Sequence, residues 1–140
     1  MRNLMEKKTT RPIRPKQAVK KKLGEAGAGA GEEAKLAAIA ISLNVRLRSA
    51  DMPPTMQEFA LRYARSLLDS CSHRPNPSLL ARCLKKEFDG MYGPAWHCVV
   101  GKSFGSFVTH SPGGFLYFSI GSDLCFLLFK TEVHLVNEVD

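Results

Sequence analysis

The side chains with the widest chemical reach in this chain are four histidines and four cysteines. His97 and Cys98 adjoin in the run AWHCVV, and His110 closes the run SFGSFVTH. A thiol beside an imidazole could form an activated nucleophile, and two imidazoles with a thiol could ligate zinc. Both readings meet one obstacle. In an extended chain, neighbouring side chains point to opposite faces, so Cys98 shares a face with Trp96 and Val100 while His97 faces away. Apolar burial makes a thiol inert, and the spacing 97, 98, 110 fits no usual zinc pattern. The cysteines at 71, 83, 98 and 125 contain no C-x-x-C, so reduced, mostly buried thiols are expected. No nucleophile elbow, P-loop or dinucleotide fingerprint is present. Asp123 falls in a turn, and no pair of carboxylates stands out. The expectation is a non-enzymatic chain with no metal and no cofactor.

Charge is the second resource, and it is concentrated. The chain carries +7 overall, but residues 1–24 hold nine lysines and arginines against Glu6 alone. That stretch is therefore +8, and the other 116 residues sum to about −1. Such an arm could bind nucleic acid, anionic membrane or an acidic protein surface by releasing counterions. It has no aromatic residue to stack on bases. It is acid-poor like a transit peptide but low in serine, and it also reads as a plain solubilising arm. Residues 24–31 read GEAGAGAG, a flexible linker by composition, so 1–31 is expected to be disordered. Residues 32–44 read as a short helix or a linker, since about 12 residues are marginal as an isolated helix. No apolar run near the start suits a secretory signal or a membrane span. A cytoplasmic location is expected.

From Asn44 the elements that would position these groups become legible. The alternation Val45-Arg46-Leu47-Arg48 predicts a half-exposed strand. Asp51 is a candidate cap for the next helix, with Pro53 and Pro54 in its first turn. Met56, Phe59, Ala60, Tyr63, Ala64, Leu67 and Leu68 share one face of that helix. Asn76-Pro77 opens a second helix whose apolar face is Leu80, Cys83, Leu84, Phe88 and Met91, and Gly93-Pro94 ends it. The period then changes to two. Strands are expected over 95–100, 104–110, 115–120 and 124–130, with turns at 101–103, 111–114 and 121–123. Segregated helices and antiparallel strands predict an α+β fold. A core of under 90 residues would gain from oligomerisation.

The stretch KKEFDGMYGPAWHCVVGKSFGSFVTH, with ADMPPTMQEFA before it and FLYFSIG and FLLFK after it, resembles the small cytoplasmic dynein light chains. The resemblance spans residues 45–131, leaving 132–140 as a tail, and the long N-terminal extension is similar to that of plant forms. It implies two helices packed on an antiparallel sheet and a strand-exchanged homodimer. The strand matching Phe104–His110 would pair with the partner's sheet, and a client peptide would add as a further strand beside it. On that pattern the peptide-binding positions are Ser103, Phe104, Gly105, Ser106, Phe107, Val108, Thr109 and His110. Phe115 and Tyr117 would line the groove from the next strand. Ser78 is nearest to a position usually held by lysine. The dimer interface would include His97, Phe104, Ser106 and Val108.

Several positions depart from the family pattern. Phe107 replaces a common tyrosine, and Ser119 replaces a frequent aromatic. The Cys71–Pro75 loop is about three residues longer, and the 121–123 turn about one. The implied partners are a second copy of the chain and disordered clients with short linear motifs, the intermediate chain of the dynein motor among them, which would place the protein on the microtubule cytoskeleton. In plant forms the motor is often absent, so a motor-independent dimerisation hub is the alternative. His97 would meet its symmetry mate in such a dimer, where protonation would oppose association. Otherwise it reads as a satisfied core histidine. On periodicity alone, His110 reads as an exposed strand end.

Overall fold

A computed structural model of the chain describes residues 27–71 and 74–133. The basic arm at 1–24, the two loop residues 72 and 73, and the end from 134 lie outside the described residues.

The first element is a helix, α1, over Gly27–Ser42. It begins inside the glycine/alanine run expected to be a flexible linker. The physical reason is tertiary. Leu36, Ile39 and Ala40, spaced i, i+3, i+4, are buried, and Leu36 and Ala40 join the main core. Once that face is anchored, each further residue adds a backbone bond at small cost, and the alanines offset the glycines. Asn44 stops the helix in the left-handed region, at φ 60, where asparagine is tolerated. Its carbonyl accepts from Gly121 N–H at 3.1 Å.

Strand β1, Val45–Asp51, leads to α2, Pro54–Asp69. Asp51 does not cap α2. The cap position is Pro53, which makes no side-chain bond there. Asp51 Oδ2 instead accepts from Gly113 N–H at 3.1 Å, 62 residues away. The start of α2 is held by Gln57, whose Nε2 donates to Met52 O at 2.7 Å. Ala60, Leu61 and Ala64 are its most buried face, with Phe59 and Tyr63 packed against the core. Helix α3, Pro77–Tyr92, starts as expected: Asn76 accepts from Leu79 N–H at 3.2 Å, and Pro77 occupies the first turn. Leu80, Leu84 and Phe88 are buried, while Met91, expected on the same face, is exposed. Gly93 ends α3 at φ 80.

Three strands follow: β2, Trp96–Gly101; β3, Phe115–Ile120; and β4, Leu124–Lys130. With β1 they form one antiparallel sheet in the order β1-β3-β4-β2. Alternate residues split its faces. Trp96, Phe118, Phe126 and Leu128 join Leu61, Leu84 and Phe88 in the core under the helices. Phe118 stacks on Phe126 at 4.9 Å, and Phe88 meets Trp96 edge-on at 4.8 Å. The fold is thus α+β as expected, with a third helix added to the expected two.

One expected strand is absent from this sheet. Residues 104–110 have no ladder partner among the described residues. Strand β4 is flanked by β3 and β2, and β3 by β1 and β4, so among the described residues the outer edges of β1 and β2 carry no partner strand. After β2, the bend at Lys102–Ser103 carries the chain away rather than back along that edge.

Candidate functional site

The sheet face opposite the helices carries Phe115, Tyr117 and His97, which sequence reasoning singled out, among residues it did not. Arg46 and Arg48 come from β1, and Phe115, Tyr117 and Ser119 from β3. Cys125, Leu127 and Phe129 come from β4, and His97 and Val99 from β2. The segment 102–111 lies against this face. The Phe104 ring sits 6.2 Å from Tyr117, and the His110 ring 4.7 Å from Phe115. At the near end, Cys125 Sγ is 3.9 Å from Lys102 O. At the far end, Ser111 N–H donates to Lys130 O at 2.7 Å, and Lys130 N–H to Gly114 O at 2.9 Å. Gly114 is required there, since a Cβ would fall 2.8 Å from Lys130 Cβ. Gly113 takes φ 79, a conformation glycine adopts without strain, in the same turn.

Within the segment, exposure changes from end to end. Ser103, Gly105, Ser106 and Phe107 are exposed, Val108 is half-buried, and Thr109 and His110 are buried. Phe107, a large apolar ring, is 56% exposed. His110 is 1% exposed, which corrects the expectation of an open strand end. Its Nδ1 lies 2.9 Å from Ser111 O; a carbonyl only accepts, so Nδ1 carries the proton. The periodicity argument failed because the chain doubles back at 111–114 and folds this residue onto Phe115. Thr109 Oγ1, Ser111 Oγ and Trp96 Nε1 are buried with no hydrogen-bond partner among the described residues. Such an orphaned group costs roughly 1–3 kcal/mol. Ser78 is exposed in the first turn of α3, and no hydrogen bond joins it to the segment among the described residues.

His97 and Cys98 diverge as strand geometry requires. Cys98 packs against the core, where burial pushes its thiol up to about 12. His97 lies on the outer face, which removes the core-histidine reading. It stacks on Phe129 at 5.1 Å, with Nε2 3.1 Å from Thr131 Oγ1. Partial burial and the Lys85 charge hold its imidazole below the ordinary value, against an opposing pull from Asp89. Among the described residues, no group of three or more His, Cys, Asp or Glu could hold a metal ion, and no helix is long and apolar enough to cross a membrane.

Arg48 also lies on this face and was not among the residues singled out from the sequence. Its Nε donates to Ser119 Oγ at 3.4 Å. The signal was present in the Val45–Arg48 alternation, which puts both arginines on the outer face. What could not be read was the register that sets Ser119 opposite Arg46 on β1 and Cys125 on β4.

The family model for dynein light chain type 1 matches residues 44–131. A dynein light chain of Schistosoma mansoni is 44% identical over 85 residues, covering 61% of this chain and 91% of that protein. The dynein light chain-like domain of the Fasciola hepatica calcium binding protein FhCaBP2 superposes with a TM-score of 0.58 at 21% identity, covering 64% of this chain and 94% of that domain. The corresponding domain of CsTAL3 gives a TM-score of 0.53 at 20% identity, covering 63% of this chain and 93% of that one. These two likenesses support the fold.

Proposed function

The chain belongs to the dynein light chain family, and from that premise we propose that it is a non-catalytic, homodimeric adaptor that binds short linear peptide motifs by β-strand addition. The observation that carries this reading is the segment 104–110. Among the described residues it belongs to no sheet, it follows directly on a strand whose outer edge has no partner there, and it exposes Phe107. It also buries Thr109 without a hydroxyl partner among the described residues. Backbone groups outside a ladder and an exposed aromatic ring are the chemistry of strand pairing with another chain. A second copy would pair this segment with its β2 edge, bringing His97, Phe104, Ser106 and Val108 to the interface. A client strand would then add along Ser103–His110, over Phe115 and Tyr117.

As a light chain, the protein would join disordered clients to a dynein motor on the cytoskeleton, the motor's intermediate chain being the expected client. The extension outside the family match favours a second reading, a motor-independent hub. Helix α1 of that extension places Leu36 and Ala40 in the core, and the basic arm before it would reach nucleic acid or acidic surfaces. Binding to an array of ten-residue extended peptides tests the groove. Phe104→Asp and Gly105→Pro should each abolish binding while leaving the helical signal intact, and retained binding in both would contradict the assignment. Intermediate-chain peptides among the strongest binders would support the motor role, and their absence would support the hub.

A further inference from the structure

The two strands that end the sheet are built differently. Among the described residues, neither the outer edge of β1 nor that of β2 carries a partner strand. A row of unpaired N–H and C=O groups is a template for any extended chain, a second copy included. Strand β2 runs from Trp96 to Gly101 against Lys130 to Cys125, one residue to one, and contains no Lys, Arg, Asp or Glu. Strand β1 keeps such a register only in two short runs. Val45, Arg46 and Leu47 face Ile120, Ser119 and Phe118, and Ser49, Ala50 and Asp51 face Tyr117, Leu116 and Phe115. Arg48, between them, has no partner on β3, so β1 carries a bulge there. A bulge bends a strand, increases its twist and interrupts the even spacing of its edge groups. Each run that remains is shorter than an ordinary strand of about five or six residues. Arg46 and Arg48 are both exposed, and neither forms an ion pair among the described residues. Two copies pairing β1 edge to edge, antiparallel and centred on Leu47, would set Arg46 of each opposite Arg48 of the other. Like charges so placed destabilise a strand pair.

We propose that the bulge at Arg48, with Arg46 beside it, is a guard that closes the β1 edge to a second copy of the chain, so that assembly through the sheet is confined to its β2 end. The alternation of core residues does not require the extra residue. Without Arg48 the run would read VRLSAD, which still sends Val45, Leu47 and Ala50 inward, where they pack now, and Arg46, Ser49 and Asp51 outward. The Arg48 side chain holds the fold only weakly, since its bond from Nε to Ser119 Oγ is long at 3.4 Å. A residue that packing does not need, placed where it both breaks an edge and charges it, is accounted for by what that edge would otherwise do. The inference goes beyond the adaptor reading and holds for whatever the β2 edge pairs with.

The test uses the full chain and its variants in sedimentation velocity over a matched concentration series. Removing Arg48 together with Arg46→Thr restores an even, uncharged edge. That variant should form species of at least twice the parent's mass, and its helical circular dichroism checks that it folds. Ser49→Lys in the same background puts a charge back on the outward side of β1 and should return the parent's distribution. A folded variant with the parent's mass at every concentration would overturn the inference. So would larger species that Ser49→Lys leaves unchanged, since they would form through another surface. Where removal of Arg48 prevents folding, Arg46→Thr with Arg48→Thr decides, because the bulge stays and only the charge goes. Mass added over the parent then supports the guard, and an unchanged distribution overturns it. Every comparison is with the parent, whether that is one chain or two, so failure here leaves the peptide-binding reading as it stands.

Discussion

At the scale of single residues, His97 and Asp89 set the acid response. His97 is held below its ordinary value by burial and by Lys85. The fold therefore favours the neutral imidazole. That contribution is complete above the unfolded value of 6.5 and is lost as pH falls through it toward the depressed one. Burial in a dimer would deepen the effect. Sedimentation between pH 7.5 and 5 should show self-association weakening, and His97→Phe, which keeps the stack on Phe129, should remove most of that dependence. An equal pH response in both proteins would contradict it. Asp89 acts in a lower range. Burial opposes its charge, but hydrogen bonds from Lys85 and from Trp96 N–H prevail and hold it below 3.8. Its stabilisation is present above 3.8 and is lost as pH falls below that value. The opposite faces of His97 and Cys98 were legible from alternation. The burial of His110 was not, because it depends on a turn at 111–114 held from another strand.

At the scale of elements, the start of α3 and the hairpin could be read because their signals are local. Asn76-Pro77 opens α3, and the β3–β4 hairpin runs over the expected residues. Asn76→Ala should lower unfolding free energy by about 1 kcal/mol, read from urea denaturation. Helix α1 was legible only in part: residues 32–44 read as a short helix or a linker, and its start at Gly27 lies in the run that reads as linker until the contact with α2 and β1 is known. Because Leu36 is buried in the common core, Leu36→Ala should cost roughly 2–5 kcal/mol in the same cooperative transition. A change within about 0.5 kcal/mol, the size of an ordinary surface substitution, would mean that α1 is a separate appendage. The segment 104–110 carries the period of a strand without a ladder. Sequence alternation reports a capacity for pairing and does not say which chain supplies the partner.

At the scale of the whole molecule, the adaptor proposal rests on three features among the described residues: a β2 edge that carries no partner strand, an unladdered segment that follows β2, and buried hydroxyls without hydrogen-bond partners. The charge that first suggests nucleic acid lies almost wholly in the basic arm. Removing residues 1–26 should therefore abolish any binding to polyanions and leave peptide affinity within about twofold, a difference of roughly 0.4 kcal/mol. Loss of peptide binding on that deletion would tie the arm to the groove. The most direct test of the adaptor reading is sedimentation velocity of the full chain with a fluorescent peptide from the array, followed at the dye wavelength. The label should travel with a species of twice the 15.5 kDa chain mass, at one peptide per chain, and should sediment free with Gly105→Pro. A chain that stays at 15.5 kDa across the concentration series, or a label carried equally by Gly105→Pro, would contradict the account.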